Sequence, residues 1–379
     1  MIKAENFYNL LKENGITFFT GVPDSLLKDF CAYVTDVTSK EDHIINSNEG
    51  AAVALAAGYN LATGKTALVY MQNSGLGNSI NPLLSLADKE VYSIPMLLLI
   101  GWRGEPGKKD EPQHKKQGRV MLKMLEAMEI PYVKINKETK NIKEIINKIC
   151  KDINSTNSPN ALIVSEGTFE EYKLKDDINT GYSMLREDAI ELILDNLNSG
   201  EIIVSTTGKT SREVYEYRKN KNQGHQNDFL TVGSMGHCSQ IALGISLKKK
   251  DRHVYILDGD GAVIMQMGSL SIIGTEAGNN LKHIIINNGA HDSVGGQPTA
   301  GFAINFSEIA KANGYKAAFK AETEAEIIKC INELKLSEGP SLLEIRVNKG
   351  ARVNLGRPEV SPAENKINFM KALSESEKI

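Results

Sequence analysis

Two aspartates separated by single glycines, Asp258-Gly259-Asp260-Gly261, close the apolar run VYIL at 254–257. An ordinary turn after a strand needs one Gly or Asp at that point, not four such residues in a row. A calcium loop would begin with the same two aspartates. It fails here, because Ala262 fills the third ligand position, Val263 replaces the glycine and Ser269 stands where a bidentate Glu is required. A dinucleotide loop fails as well, since Gly75-Leu76-Gly77 lacks its third glycine. TTGKTS at 206–211 ends like a P-loop, yet Ile203 occupies the position of the obligatory first glycine. What survives is an aspartate held between glycines, so that backbone and phosphate can approach it, ligating Mg²⁺. A second oxygen ligand is expected from the end of an adjacent strand, where HIIINNGAHD supplies Asn287 and Asn288.

Residues at strand ends need a sheet to position them. Aliphatic runs at 16–22, 66–73, 96–101, 160–166, 201–207, 253–259 and 283–289 predict strands of a mostly parallel sheet buried on both faces. Amphipathic stretches at 119–129, 140–153 and 184–198 lie between some of them, so the fold class is α/β. The polar segment 170–183 reads as a linker between a first domain at 1–169 and a second at 184–379. From about Gly350 the chain carries three prolines, is expected to wrap the surface, and ends in a short helix. A net charge of −3 gives no sign of a nucleic-acid or membrane partner, and the longest apolar run, 94–101, is too short to span a bilayer. The start at residues 1–15 is an amphipathic helix with charges throughout rather than a leader, and four dispersed cysteines read as reduced thiols. These features predict a cytoplasmic protein.

An internal repeat organises the chain. A shift of 186 residues sets Gly58 against Gly244 and Gly75 against Gly261, and it holds from Leu98-Leu99-Ile100 to Ile284-Ile285-Ile286. The chain therefore reads as two related α/β domains that diverge at the strand ends, with Ser74 facing Asp260. Ligands of open α/β sheets bind at the carboxyl ends of strands, so the two copies differ where chemistry belongs.

The first domain offers its own acid. In SNEGAAVALAAGYNLATGK (47–65), Glu49 opens a helix of Ala, Val and Leu, and the repeat sets it against Met235. A glutamate at a helix start also serves as a simple dipole partner. GDG followed by NN resembles the diphosphate-and-magnesium motif of thiamine diphosphate-dependent 2-oxoacid decarboxylases, and the Glu49 stretch resembles that family's glutamate-bearing helix. The resemblance implies two related thiamine diphosphate-binding-fold domains, a pyrimidine-binding one followed by a diphosphate- and Mg²⁺-binding one, without a central third domain. It implies Asp260, Asn288 and the Ala290 carbonyl as metal ligands, with Asn287 as the lesser alternative to Asn288. It implies Thr206, Thr207, Gly208, Gly259 and Gly261 around the diphosphate, with Lys209 the weakest candidate there. TVGSMGHCSQIALG (231–244) resembles the region that bends the cofactor, with Gly233 and Met235 against its rings. Glu49 would exchange a proton with the aminopyrimidine, and the site would form between subunits of a homo-oligomer.

Within that family GVPDSLLKDF (21–30), DEPQHKKQG (110–118) and NNGAHDSVGGQPT (287–299) are similar to the short subgroup acting on 2-oxoacids with a phosphonate or sulfonate tail. Residues 102–119 concentrate Arg103, Lys108, Lys109, His114, Lys115, Lys116 and Arg119, which suit a mobile lid closing on an anion, although charge runs also serve as solvated faces. Asp24, Ser25, Arg103 and His114 are the implied substrate-binding residues; His114, Ser25 and His291 join Glu49 as catalytic candidates. The expected reaction is decarboxylation of phosphonopyruvate, with sulfopyruvate or another short 2-oxoacid as the alternative substrate. A cofactor-binding protein without turnover is disfavoured by the presence of Glu49. A carboligase is disfavoured by the missing central domain.

Overall fold

The aliphatic runs form strands because their alternate side chains are buried on opposite faces of each sheet. The computed structural model describes residues 1–175 and 180–375. Two compact units emerge, Met1–Asp177 with Ser293–Gln297, and Ile178–Asp292 with Pro298–Ile379. Residues 176–179 of the expected linker lie outside the described residues. Its preceding part is docked on the helix Lys28–Val37: the Tyr172 N–H donates to Asp29 Oδ1 at 3.1 Å and the Tyr172 hydroxyl to Asp36 Oδ2 at 2.9 Å.

The first unit carries β1 (Phe19–Gly21), β2 (His43–Ile45), β3 (Ala67–Gln72), β4 (Met96–Gly101), β5 (Tyr132–Ile135) and β6 (Asn160–Val164). They form one parallel sheet in the order β2-β1-β3-β4-β6-β5. Leu68, Tyr70, Leu97 and Leu99 pack on one face with Phe7, Phe19 and Phe30; Val69, Met71, Leu98 and Ile100 pack on the other with Ala52 and Ala56. The second unit carries β7 (Ile202–Ser205), β8 (Asp228–Leu230), β9 (Val254–Gly259), β10 (Leu281–Asn287), β11 (Ala317–Ala321) and β12 (Ser341–Arg346). Its parallel order is β11-β12-β10-β9-β7-β8. Read from the opposite edge, this is the order of the first sheet, so the sequence repeat is a repeat of topology.

Two expectations need correction. The repeat is not free of local slips, because Ala67–Gln72 matches Val254–Gly259 at a shift of 187. The first residue beyond each strand is then Asn73 in one unit and Asp260 in the other, so Asn73, not Ser74, is the counterpart of Asp260. The supposed lid is also half helix. Pro112 occupies the first turn of the helix Pro112–Ala127, where its missing N–H costs nothing, so only 102–111 remains loop. Among the described residues no helix is long and apolar enough to cross a membrane.

Candidate active site

In both sheets the strand order reverses between the first and third strands, β1 and β3 in one unit, β7 and β9 in the other, and such a switch opens a crevice at the strand ends. In each unit the sequence candidates lie beyond the carboxyl ends of strands.

In the second unit β9 delivers Asp260, which is buried. The Thr299 hydroxyl donates to Asp260 Oδ2, and backbone N–H groups, that of Asn288 among them, also reach the carboxylate. Burial, against those hydrogen bonds, pushes the carboxyl up to about 6. A desolvated acid whose partners are a hydroxyl and backbone amides gains most from a cation. The two asparagines after β10 differ in their commitments. Asn287 donates to the Gly301 carbonyl at 2.8 Å and to Glu344 Oε1 at 2.9 Å, and its Oδ1 accepts from Gly289 N at 3.1 Å. Asn288 Oδ1 accepts from Ala290 N at 3.1 Å. Gly301 keeps this corner clear, since a Cβ there would lie 2.5 Å from both Asn287 Oδ1 and Asp260 Oδ2. The donor set of one carboxylate, an amide oxygen and the Ala290 carbonyl suits Mg²⁺, which takes its remaining ligands from phosphate and water. Among the described residues no group of three or more His, Cys, Asp and Glu could hold a metal ion.

Across the switch, Thr206 is buried, Thr207 is half-buried and Gly208 has φ of 91°, a left-handed value that favours glycine just before the helix Lys209–Asn220. Lys209 is already engaged: its Nζ lies 3.0 Å from the Asp292 carbonyl and 3.5 Å from Asp292 Oδ2. Arg186 holds the same Asp292 at 2.8 Å while gripping Glu213 through two bonds of 2.7 and 2.8 Å. The loop with half-buried Gly233 and Met235 passes through two left-handed residues, Ser234 and Gly236. His291 lies beside Gly261, and burial lowers it to about 4.

In the first unit the helix Glu49–Thr63 is capped by Asn48, whose side chain accepts from Ala51 N at 2.9 Å. This cap places Glu49, which is 5% exposed, at the first position of the helix. Its Oε2 accepts from Asn78 Nδ2 at 2.8 Å, and its Oε1 occupies the space a side chain on Gly75 would need. Beyond β1, Asp24 is fully buried and accepts from Leu26 N at 3.1 Å; burial, opposed by that bond and by Arg103, pushes its carboxyl up to about 6. Ser25, Arg103 and His114 join it. Arg103 Nη1 donates to Ser25 Oγ at 2.6 Å, and Arg103 Nε and Nη2 donate to Asp110 at 2.9 and 2.5 Å. His114 Nδ1 lies 2.8 Å from Asp110 Oδ1. Lys108, Lys109, Lys115, Lys116 and Arg119 are exposed, so of the basic stretch only Arg103 and His114 are drawn inward.

Asp110, Asn73 and Asn78 were missed as site residues. Asp110 stood in view beside His114, but its role follows from packing rather than spacing. Asn73 exchanges two bonds with the Arg103 backbone, at 2.8 and 3.1 Å.

The description "Thiamine pyrophosphate enzyme, N-terminal TPP binding domain" matches residues 1–138, and its C-terminal TPP binding counterpart matches 206–345. The chain is 32% identical over 385 residues to a phosphonopyruvate decarboxylase of Streptomyces viridochromogenes, covering 96% of this chain and 93% of that one. A phosphonopyruvate decarboxylase of Streptomyces hygroscopicus is also 32% identical, over 96% of this chain and 92% of its own length. A sulfopyruvate decarboxylase of Methanosarcina acetivorans is 27% identical, over 97% of each chain. The protein is a member of the thiamine diphosphate-dependent 2-oxoacid decarboxylase family.

Proposed function

We propose that the protein decarboxylates a 2-oxoacid with an anionic tail, phosphonopyruvate, to the corresponding aldehyde and CO₂, using thiamine diphosphate and Mg²⁺. One observation carries the reading. The 96% of the chain that aligns with a phosphonopyruvate decarboxylase includes a buried Glu49 in one unit and the Asp260–Asn288 pair in the other. Sulfopyruvate is the second reading, supported by the 27% identity over 97% of the chain to an enzyme of that name.

Asp260, Asn288 and the Ala290 carbonyl would hold Mg²⁺. Asn288 is favoured over Asn287 by the family resemblance, since the Oδ1 of each accepts one backbone N–H, from Ala290 and from Gly289. Thr206, Thr207, Gly208, Gly259 and Gly261 would surround the diphosphate, and Gly233 and Met235 would meet the rings. Bound thiamine diphosphate would supply a nucleophilic carbon for the keto group and a ring able to take up the electron pair released with CO₂. Glu49 would hold the proton exchanged with the aminopyrimidine, with Asn78 fixing its Oε2. Asp24, Ser25, Arg103 and His114 face the substrate, and His291 stands as a further proton-carrying candidate. The reading carries with it a homo-oligomeric, cytoplasmic enzyme of phosphonate biosynthesis.

The test is an assay coupled to aldehyde reduction, offering phosphonopyruvate, sulfopyruvate and pyruvate with thiamine diphosphate and Mg²⁺. Phosphonopyruvate should give the highest kcat/KM, and turnover of pyruvate alone would overturn the substrate assignment. Glu49→Gln should abolish turnover while leaving cofactor binding, followed by calorimetry, in place. Unchanged turnover in that variant would remove the proposed mechanism.

A further inference from the structure

We infer that Asp110 is a positioning residue of this reaction, fixing His114 with its proton on Nδ1 and Nε2 turned to proton exchange, and setting the Ser25 hydroxyl as a donor. The inference rests on the decarboxylase reading and adds a residue to it. Five hydrogen bonds converge on this one carboxylate. Oδ1 accepts from Arg103 Nη2 at 2.5 Å, from Glu111 N at 2.7 Å and from His114 Nδ1 at 2.8 Å; Oδ2 accepts from Gly104 N at 2.7 Å and from Arg103 Nε at 2.9 Å.

The polarity of every neighbour follows. Burial works against the charge on Asp110, but the bonds from Arg103, His114, Glu111 and Gly104 outweigh it and hold the carboxyl well below the usual carboxylate range. An ionised carboxylate only accepts, so His114 Nδ1 must carry the proton that it shares. Burial lowers the imidazole, against the Asp110 bond, so the neutral ring presents a lone pair at Nε2. On the other arm Arg103 only donates, so Ser25 Oγ accepts from Nη1 and its own proton is directed elsewhere; Asp24 Oδ2 stands at 3.5 Å. One acid thus prepares an acceptor on one side and a donor on the other. It also occupies the Nε–Nη2 edge of Arg103, so an anionic tail cannot take that edge.

Backbone packing holds the arrangement. Gly104 has φ of 69°, and a Cβ on it would lie 2.0 Å from the His114 carbonyl oxygen. A Cβ on Gly118 would lie 1.8 Å from the Gly104 carbonyl oxygen, so loop and helix meet glycine to glycine. The Trp102 indole N–H closes the same contact on the Gly118 carbonyl at 2.9 Å.

The test uses holoenzyme with thiamine diphosphate and Mg²⁺, comparing wild type, Asp110→Asn and Asp110→Glu. ¹⁵N-histidine NMR, assigned with His114→Gln, reports the tautomer of His114 among the seven histidines. Wild type should show the proton on Nδ1. Asp110→Asn, which removes the charge and can accept at only one of the two oxygen positions, should lower kcat about 100-fold, with KM changed less than about tenfold. Asp110→Glu, which keeps the charge, should recover about tenfold of that loss. A wild-type His114 protonated at Nε2, or an Asn variant with wild-type kcat, would overturn the inference. Loss of cofactor affinity in proportion to kcat would reduce Asp110 to a structural role. If the Asn variant does not fold, the wild-type tautomer and the Glu variant decide. If wild type turns over none of the three 2-oxoacids, the decarboxylase reading falls, while the tautomer still judges the arrangement around Asp110.

Discussion

The ends of β3 and β4 in one unit and of β9 and β10 in the other occupy the same place in the same topology, yet they hold different chemistry. After β9 stands Asp260, reached by the backbone N–H of Asn288, the residue following β10. After β3 stands Asn73, bonded to the backbone of Arg103, which lies two residues beyond β4. The carboxylate in one copy has become an amide in the other, and an amide can bridge backbone N–H and C=O at once. One crevice is thereby left with an uncompensated acid suited to a cation. The other is closed by a neutral clasp that delivers a guanidinium. The lesson is that two copies of one fold can hold different chemistry at the same strand ends by changing which copy leaves its charge unpaired.

The sharpest way to break this comparison is to remove the unpaired acid. Asp260→Ala should abolish measurable Mg²⁺-dependent binding of thiamine diphosphate in calorimetry, a weakening of more than about 100-fold. Retained binding would mean that the metal is held elsewhere and that the two strand ends do not differ as argued.

A second acid tests whether the first unit manages burial by a side-chain cation instead. Asp24 follows β1, is fully buried, and burial sets its carboxyl at about 6 against an ordinary value of 3.8. Because the folded state binds this proton more tightly than the unfolded chain, its stabilising contribution is complete below about pH 4 and is lost as pH rises through about 6. Wild type should therefore lose about 3 kcal/mol relative to Asp24→Asn between pH 4 and pH 7, read from urea unfolding. The slope should not depend on Mg²⁺, since the charge facing Asp24 is Arg103. Equal pH dependence in both proteins would show that the buried acid has another compensation.

Much of this was legible in the sequence. Long aliphatic runs gave away the strands that carry the site, and the repeat gave away the topology. The strands that were missed have physical reasons. β2 and β8 are three residues long, and β5 and β11 lie half-buried at sheet edges. β12 is central and buried, but its run SLLEIR is interrupted by Glu344, an acid satisfied inside by Asn287 and Arg346. Slips of one residue escape a gap-free shift, which is why Ser74 stood in for Asn73. The role of Asp110 could not be read from spacing, because its five hydrogen bonds come from four residues, Arg103, Gly104 and Glu111 of a loop and His114 of a helix.

The smallest predicted effects separate the two copies at a pair of glycines that the 186-residue shift aligns, Gly75 and Gly261. A Cβ on Gly75 would lie 2.2 Å from Glu49 Oε1 and 2.5 Å from its Cγ, whereas one on Gly261 would lie 3.3 Å from the His291 ring. The obstacle at Gly75 is the end of a flexible side chain, so Gly75→Ala should fold with little loss of stability. It must nonetheless move the Glu49 carboxyl, and in the proton-exchanging role proposed for Glu49 a misplacement near 1 Å would cost about 100-fold in kcat. Gly261→Ala asks only a few tenths of an ångström of His291 and should weaken cofactor affinity by less than about tenfold. Gly77→Ala, in open space on the helix Leu76–Pro82, should raise stability by about 0.5–1 kcal/mol and serves as the control for helix propensity. Thermal unfolding together with kcat and cofactor titration for the three variants checks the ranking. A Gly261→Ala defect larger than that of Gly75→Ala would place the tighter catalytic constraint in the second unit, reversing the comparison between the copies.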